Sequence, residues 1–300
     1  MIYRNNIYFS IGTRIDLKEN IEIGLKVLNM IFDFCKDNIT TPLMLCYDDN
    51  KGYKKPKFST KSIDAFIERY YDKQIGLLTI MDFFTKNQFF GEQSFEEYED
   101  YEVNKEIFEC NIDFGVPNRF KERGMVQSCC DIISISVAKR YLLGTNNFEK
   151  LLELFKEICF TVNGIGSFFT GGSNMYHSAG LFDRQYYHTP WSFSRFWDEQ
   201  VRGYFWLMFL TDKQVDVLGG IEKVENQGFY SVEKTDSGVF IQCTENILDY
   251  TIDDALKLKA FLKPLFPPLK KKTGKFFPNR EYMEEKMKKG LYLFDEKDML

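Results

Sequence analysis

The stretch RGYFWLMFLTDKQVDVLGG, Arg202–Gly220, decides how the chain is expected to fold. Residues 204–210 are uncharged and mostly apolar, so a strand built from them would be buried on both of its faces. Thr211 and Gln214 follow with the spacing of a capping box, and the closing glycine pair can end a short helix. We therefore predict a central strand with Trp206 in the core, followed by a short helix. No residue type in this stretch suggests a catalytic group.

The chain before this stretch contains two long helix patterns. Apolar residues recur at helical spacing in NIEIGLKVLNMIFDFCKDN, residues 20–38, and in NNFEKLLELFKEICF, residues 146–160, where Asn147 is the expected N-cap. In the first helix, the residues expected to be buried are Gly24, Val27, Leu28, Ile31, Phe34 and Cys35. Strand patterns flank both helices, for example IYFSIGTRID at residues 7–16.

The order strand, long helix, strand thus occurs at the start and in the middle of the chain. It predicts an α+β fold in which long helices pack on a mixed β-sheet. Two arrangements stay open for residues 1–268: a single globular domain, or two similar strand–helix–strand halves over residues 1–126 and 127–268. Residues 269–300 are expected to form a charged C-terminal extension.

The end of the predicted domain has clear turn and cap signals. FYSVEKTDSGVFIQCT, residues 229–244, predicts a hairpin that turns at Asp236–Gly238. TIDDALKLKAFLKPLFPP, residues 251–268, predicts a last helix that Thr251 caps and Pro264 ends.

Composition excludes several classes of function. The formal net charge of −5 gives no support to general nucleic-acid binding through phosphates. The seven cysteines form no CxxC pair and are expected to be buried free thiols of a reducing compartment. No run of 18 apolar residues occurs, and the N-terminal residues do not resemble a signal peptide. We therefore expect a cytoplasmic protein that neither spans nor binds a membrane.

The chemistry-bearing residues give no convincing active site. The two histidines, His177 and His188, flank Asp183 without the spacing of a zinc site. Gly171 and Gly172 lack the Lys-Ser or Lys-Thr that follows them in a phosphate loop. We predict no catalytic residue, cofactor or metal. An enzyme of unknown class that uses the loop of residues 171–190 remains an alternative, as does a self-associating scaffold protein.

An acidic segment with tyrosines among its carboxylates is the stronger candidate for binding. Its residues are Glu96, Glu97, Tyr98, Glu99, Asp100, Tyr101 and Glu102. Carboxylates would steer a basic protein partner and the tyrosines would supply contact area, although a solvated loop would have the same composition. A second candidate contact is the aromatic loop with Tyr176, Tyr186, Tyr187 and Trp191.

Two blocks near the end of the chain resemble a known family. They are VRGYFWLMFLTDKQVDVLGGIEKV, residues 201–224, and GVFIQCTENILDYTIDDALKLKAFLKPLFPP, residues 238–268. Together they are similar to the C-terminal half of the bacterial type VI immunity family, in which a Gly-x-x-Trp-Leu-x-Phe-Leu strand precedes a short helix, a Leu-Gly-Gly stop and a helix that ends in Leu-x-Pro. The matching residues are Gly203, Trp206, Leu207, Phe209, Leu210, Leu218, Gly219, Gly220 and Leu262–Pro264.

The resemblance implies a cytoplasmic antidote that binds and neutralises a toxin delivered between bacteria. The partner would then be a cognate bacterial toxin, and the acidic segment suggests a basic toxin such as a nuclease. A homodimer is compatible with this role. Two features depart from the family pattern: TENILDYTIDD, residues 244–254, stands where the family often has a glycine- and proline-rich link, and a basic tail follows Pro268.

Overall fold

The computed structural model of the chain describes residues 6–39, 42–48, 53–54, 56–70, 77–82, 108–113, 131–142, 146–171, 199–201 and 203–266. The chain divides into two units, Met1–Gly164 and Ile165–Leu300, which we call unit 1 and unit 2.

Unit 1 contains an antiparallel sheet. Its described strands are β1 (Asn6–Thr13), β2 (Leu43–Asp48), β3 (Tyr53–Lys54), β4 (Leu77–Asp82), β5 (Phe108–Asp113) and β6 (Asp131–Ala138). They lie in the order β3-β2-β4-β5-β6-β1. Each neighbouring pair runs antiparallel, with Phe9 opposite Ile135 and Cys110 opposite Ile135 on the other side of β6.

The helices of unit 1 pack on the apolar face of this sheet. They are α1 (Ile21–Asn38), α2 (Thr60–Tyr70), α3 (Lys139–Leu142) and α4 (Asn147–Thr161). The ring of Phe155 in α4 lies 5.3 Å from that of Phe9 in β1, and Phe66 in α2 lies 5.2 Å from Tyr47 in β2. These contacts place the core of unit 1 between the sheet and the helices.

The first helix confirms its sequence pattern, and the second differs in detail. All six residues predicted for the buried face of α1 are buried. In α4, Asn147 was expected to be the N-cap, but it is the first helical residue and Asn146 precedes it without a side-chain capping bond. On the same helix Leu154 is buried whereas Leu152 is only half-buried.

The described strands of unit 2 pair antiparallel with one another. Its strands are β7 (Gly164–Gly171, which begins at the boundary), β8 (Leu207–Thr211), β9 (Ser231–Lys234) and β10 (Gly238–Gln242). They lie in the order β7-β8-β10-β9. The helices are α5 (Asp212–Val217), α6 (Ile221–Glu225) and α7 (Ile252–Leu262), with short 3₁₀ turns η1 (Ile247–Asp249) and η2 (Lys263–Leu265).

Residues 203–220 form the predicted centre of unit 2. Strand β8 has β7 on one side and β10 on the other, and Trp206, Phe209 and Leu210 are buried. The regular strand begins at Leu207, so it is shorter than expected. Trp206 lies at a bend immediately before it, where its backbone carbonyl accepts a bond from the Cys243 amide.

The predicted turns and caps of unit 2 are also confirmed. Thr211 and Gln214 form a capping box, as do Thr251 and Asp254. β9 and β10 form the predicted hairpin. Gly220 has φ 92° and ψ 169°, a backbone region that essentially only glycine occupies, which explains the glycine at this position.

The predicted α+β class is therefore confirmed. The order strand, long helix, strand occurs twice along the chain, first as β1-α1-β2 and then as β6-α4-β7. In the second case the short helix α3 lies between β6 and α4. Within each unit all described strand pairs are antiparallel. No helix among the described residues has the length and hydropathy needed to cross a bilayer.

Candidate functional site

The site residues predicted from the sequence lie outside the described part of the chain. This holds for the acidic segment Glu96–Glu102 and for Tyr176, Tyr186, Tyr187 and Trp191. It also holds for both histidines, and only Gly171, at the end of β7, is described from the loop of residues 171–190. The contact surfaces predicted from composition therefore stay predictions.

One face of the unit 1 sheet has a dense set of polar side chains. We call it the polar sheet face and define it by Asn6, Ser10, Thr79, Glu109, Asn111 and Ser136. Strand register brings these residues to one face, because Thr79 lies opposite Asn111 and Glu109 opposite Ser136. The opposite face carries the apolar residues on which the helices pack.

Hydrogen bonds connect the polar sheet face across its strands. The Thr79 hydroxyl donates to Asn111 Oδ1 at 2.8 Å, and Asn111 Nδ2 donates to Glu109 Oε1, also at 2.8 Å. On the same face, between β1 and β6, Asn6 Nδ2 donates to the Ser136 hydroxyl at 2.9 Å. The arrangement orients amide, hydroxyl and carboxylate groups for hydrogen bonding.

The sequence contains a local signal for this face in the alternation of polar and apolar residues. Polar residues alternate with apolar ones in three strands, as in Glu109 and Asn111 of FECNID. Alternation within one strand predicts a polar face, but it does not show which distant strands will place their polar faces side by side. Glu109 and Ser136 come together only through the pairing of β5 with β6.

The described cysteines are free thiols, and several are held in the protonated form. Cys35, Cys46, Cys110 and Cys159 are buried, as predicted, and Cys243 is half-buried. Burial is the main cause of the raised pKa of Cys35, and the nearby Cys110 is the second cause. The pKa of Cys110 is also raised, mainly by burial and secondly by the charge of Glu109. The pKa of Cys243 is raised to about 12, mainly by burial and secondly by the charge of Asp254. These three thiols are poor nucleophiles because nucleophilic attack requires the thiolate.

Metal binding has no basis in the part of the chain that the structure describes. Within it, no three His, Cys, Asp or Glu side chains are grouped so that they could hold a metal ion.

The residues that carry the family resemblance pack together in unit 2. The Trp206 indole donates to the Thr244 carbonyl oxygen at 2.9 Å and to its hydroxyl at 3.0 Å. The same ring lies 5.7 Å from Phe169, and the Phe205 ring stacks on Phe168 at 3.9 Å. Leu218 and Leu262 are buried. The matching residues thus serve packing and chain reversal, and none of them forms a reactive group.

The fold is similar to that of a T6SS protein from Pseudomonas aeruginosa. The solved structure of that protein aligns with 97% of this chain and 83% of its own, with a TM-score of 0.53 and 12% identity. At this identity the likeness shows a shared fold. No protein-family profile matches the chain, and no curated protein matches it.

Proposed function

We propose that this protein is an immunity protein, which binds a cognate toxin delivered between bacteria by type VI secretion and neutralises it stoichiometrically. The observation that carries the proposal is the fold likeness, over 97% of the chain, to a protein named for the type VI secretion system. The sequence resemblance to the type VI immunity family, on residues 201–224 and 238–268, supports the same context.

The chemistry of the described residues favours inhibition by binding over enzymatic inactivation. The motif residues are packing residues, and burial raises the pKa of Cys35, Cys110 and Cys243, which leaves little thiolate at neutral pH. An inhibitor that acts by binding needs a stable scaffold and a complementary surface. The strands and capped helices of each unit supply such a scaffold.

The charge of the chain favours a basic toxin. The net charge is −5, and Glu96, Glu97, Glu99, Asp100 and Glu102 add a local concentration of carboxylates. Opposite charge on the two partners speeds encounter, and a toxin that binds nucleic acid has the required basic surface. The proposal therefore favours a nuclease toxin. The protein would act in the cytoplasm of the cell it protects, as a monomer or as a homodimer.

The test is to search the neighbouring genes for a toxin-domain protein and to co-express that toxin with this protein. Cells that produce the toxin should survive when they also produce this protein. The purified protein should bind a catalytically inactive form of the toxin at a fixed molar ratio, measured by calorimetry and by light scattering after size exclusion. Absence of both protection and binding would contradict the proposal.

A histidine variant separates the proposed inhibitor from an enzyme. His177→Ala combined with His188→Ala should protect as well as the wild type, because stoichiometric binding needs no general base. Loss of protection while toxin binding and the circular dichroism spectrum are unchanged would favour an enzyme, as would protection at a small fraction of the toxin concentration. Self-association without toxin binding would favour the scaffold alternative.

A further inference from the structure

Two exposed apolar side chains lie within residues 244–256 of unit 2, and a third is linked to this segment by a hydrogen bond. Leu248 is 53% exposed in the turn η1, and Leu256 is 43% exposed on helix α7. Tyr230, which is 54% exposed, comes just before β9, and its hydroxyl bonds to Glu245. We call Tyr230, Glu245, Leu248, Asp249, Asp253 and Leu256 together the corner surface. Tyrosine is enriched among the residues that contribute most to protein interfaces.

The charged residues of the corner surface have one sign. From Thr244 to Leu256 the sequence has four carboxylates, Glu245, Asp249, Asp253 and Asp254, and no lysine or arginine. The first three are exposed, whereas Asp254 takes part in the cap of α7 and lies 3.9 Å from Lys257. A partner with basic groups would complement these carboxylates where it covers the apolar side chains.

Hydrogen bonds hold the backbone of the corner surface in place. The Thr244 hydroxyl donates to the Asn246 carbonyl at 2.8 Å, and Asn246 Oδ1 accepts from the Leu248 amide at 2.9 Å. Gln242 Nε2 donates to the carbonyl oxygens of Thr244 and Glu245. The buried indole of Trp206 donates to Thr244 from the core side. A surface that is ordered before binding loses less conformational entropy when a partner binds.

We propose that the corner surface is the part of unit 2 that recognises the toxin, and that it binds a basic protein surface of that toxin. The inference rests on the proposed function and specifies its contact region. Leu248, Leu256 and Tyr230 would supply the apolar contacts, and Glu245, Asp249 and Asp253 would pair with lysine or arginine side chains of the toxin.

Two matched double variants test the inference. Leu248→Arg with Asp249→Lys changes an exposed apolar–acidic pair of the corner surface. Asp216→Lys with Val217→Arg makes the same change in charge at an exposed pair on α5, where Val217 is 58% exposed. The probe is the catalytically inactive form of the toxin identified by the co-expression test, and the dissociation constant is measured by calorimetry. Circular dichroism and thermal unfolding of both variants verify that they are folded.

We expect the corner variant to bind the toxin at least ten-fold more weakly than the wild type, and the α5 variant to bind within two-fold of it. Equal binding by the wild type and a folded corner variant would overturn the inference and leave the proposed function intact. Equal weakening by both variants would also overturn it, because net charge alone would then explain the effect. If the wild type does not bind the toxin, the proposed function fails and the inference fails with it.

Discussion

The indole nitrogen of Trp206 donates to both the carbonyl and the hydroxyl oxygen of Thr244, 38 residues later in the chain. This pair links the strand-and-helix block of the family motif to the segment that follows β10. The indole is fully buried, so it contributes to the core through its ring and to the fold of residues 244–246 through its hydrogen bond.

We predict that Trp206→Ala lowers the free energy of unfolding by about 3–5 kcal/mol, because it removes a large buried aromatic side chain and leaves a cavity. Thr244→Val removes the hydroxyl but retains the carbonyl acceptor, and should cost only about 0.5–1.5 kcal/mol. Urea denaturation of both variants measures the difference. Equal effects would mean that the burial of the ring contributes little to stability.

A second prediction concerns the glycine pair that ends the short helix of the motif. Gly220 has open space around its Cα, so an added Cβ would meet no atom within 4 Å. Its backbone conformation is nevertheless almost exclusive to glycine, and Gly220→Ala should cost about 1–3 kcal/mol. Asp216→Ala, an exposed change on the preceding helix, should stay within about 0.5 kcal/mol of the wild type. Thermal unfolding that does not distinguish the two variants would refute the conformational explanation.

The local structure of unit 2 and the buried face of α1 could be predicted because short-range rules determine them. Capping boxes, the hairpin turn and helical spacing each depend on residues fewer than about ten positions apart. The N-cap of α4 was placed one residue too late, because Asn146 and Asn147 have the same side chain and only the backbone distinguishes them. The strand ahead of Leu207 was predicted too long, because residue types do not reveal that Trp206 bends away toward Thr244.

The candidate contact surfaces could be predicted only in part, for a different physical reason. Composition identified the acidic segment as a potential binding surface, and no contact of the described residues tests it. The polar sheet face and the corner surface both depend on contacts between distant residues, such as Glu109 with Ser136 and Tyr230 with Glu245. A sequence read locally contains the residue types but not their partners.

The buried thiols predict a loss of stability at alkaline pH. Burial raises the pKa of Cys35, Cys110 and Cys243 in the folded protein, so this state keeps protons that the unfolded state releases. Their stabilising effect is complete below the unfolded thiol pKa of about 8.5 and is lost as the pH rises above it. The free energy of unfolding should therefore fall between pH 8 and pH 10.5. A combined variant with serine at these positions would reduce the slope in that range.

The same thiols should resist modification while the protein is folded. In a Cys129→Ser, Cys130→Ser variant, the remaining cysteines are the five that the structure describes as free. We expect them to react with a thiol reagent at pH 8 only after denaturant is added, because burial limits access to the thiols and raises the pKa of Cys35, Cys110 and Cys243. Rapid reaction of the native variant would show that the core opens or that the thiols are accessible.

The two capping boxes of unit 2 predict different responses to acid: one should weaken at low pH and the other should not change. Burial would raise the pKa of Asp254, but bonds from the Thr251 hydroxyl and amide, with Lys257, lower it overall. Its contribution is therefore present above the unfolded pKa of about 3.9 and is lost as the pH falls through the folded value. Thr251→Ala should cost about 0.5–2 kcal/mol at neutral pH and less at pH 3.

Thr211→Ala is the control for that comparison, because the partner of Thr211 in its capping box is the uncharged Gln214. The free-energy cost of Thr211→Ala should be similar to that of Thr251→Ala at neutral pH. It should not change with pH through its partner Gln214, which has no titratable group. Urea unfolding at pH 7 and pH 3 measures both differences. An equal response of the two variants to acid would contradict the role assigned to the Asp254 carboxylate.

The last prediction concerns the acidic segment, for which composition is the only guide. Reversal of Glu96, Glu97 and Glu99 to Lys should lower the association rate with the toxin about ten-fold at low salt, because these carboxylates would steer a basic partner. The loss should shrink in high salt, which screens exposed charges.

A control with Lys at the exposed Glu68, Glu153 and Glu157 has the same net charge and should change the rate much less. Surface plasmon resonance at two salt concentrations measures both rates. An unchanged association rate of the Glu96, Glu97 and Glu99 variant at low salt would identify the segment as a solvated loop, and the aromatic loop with Tyr176 and Trp191 would become the next surface to test.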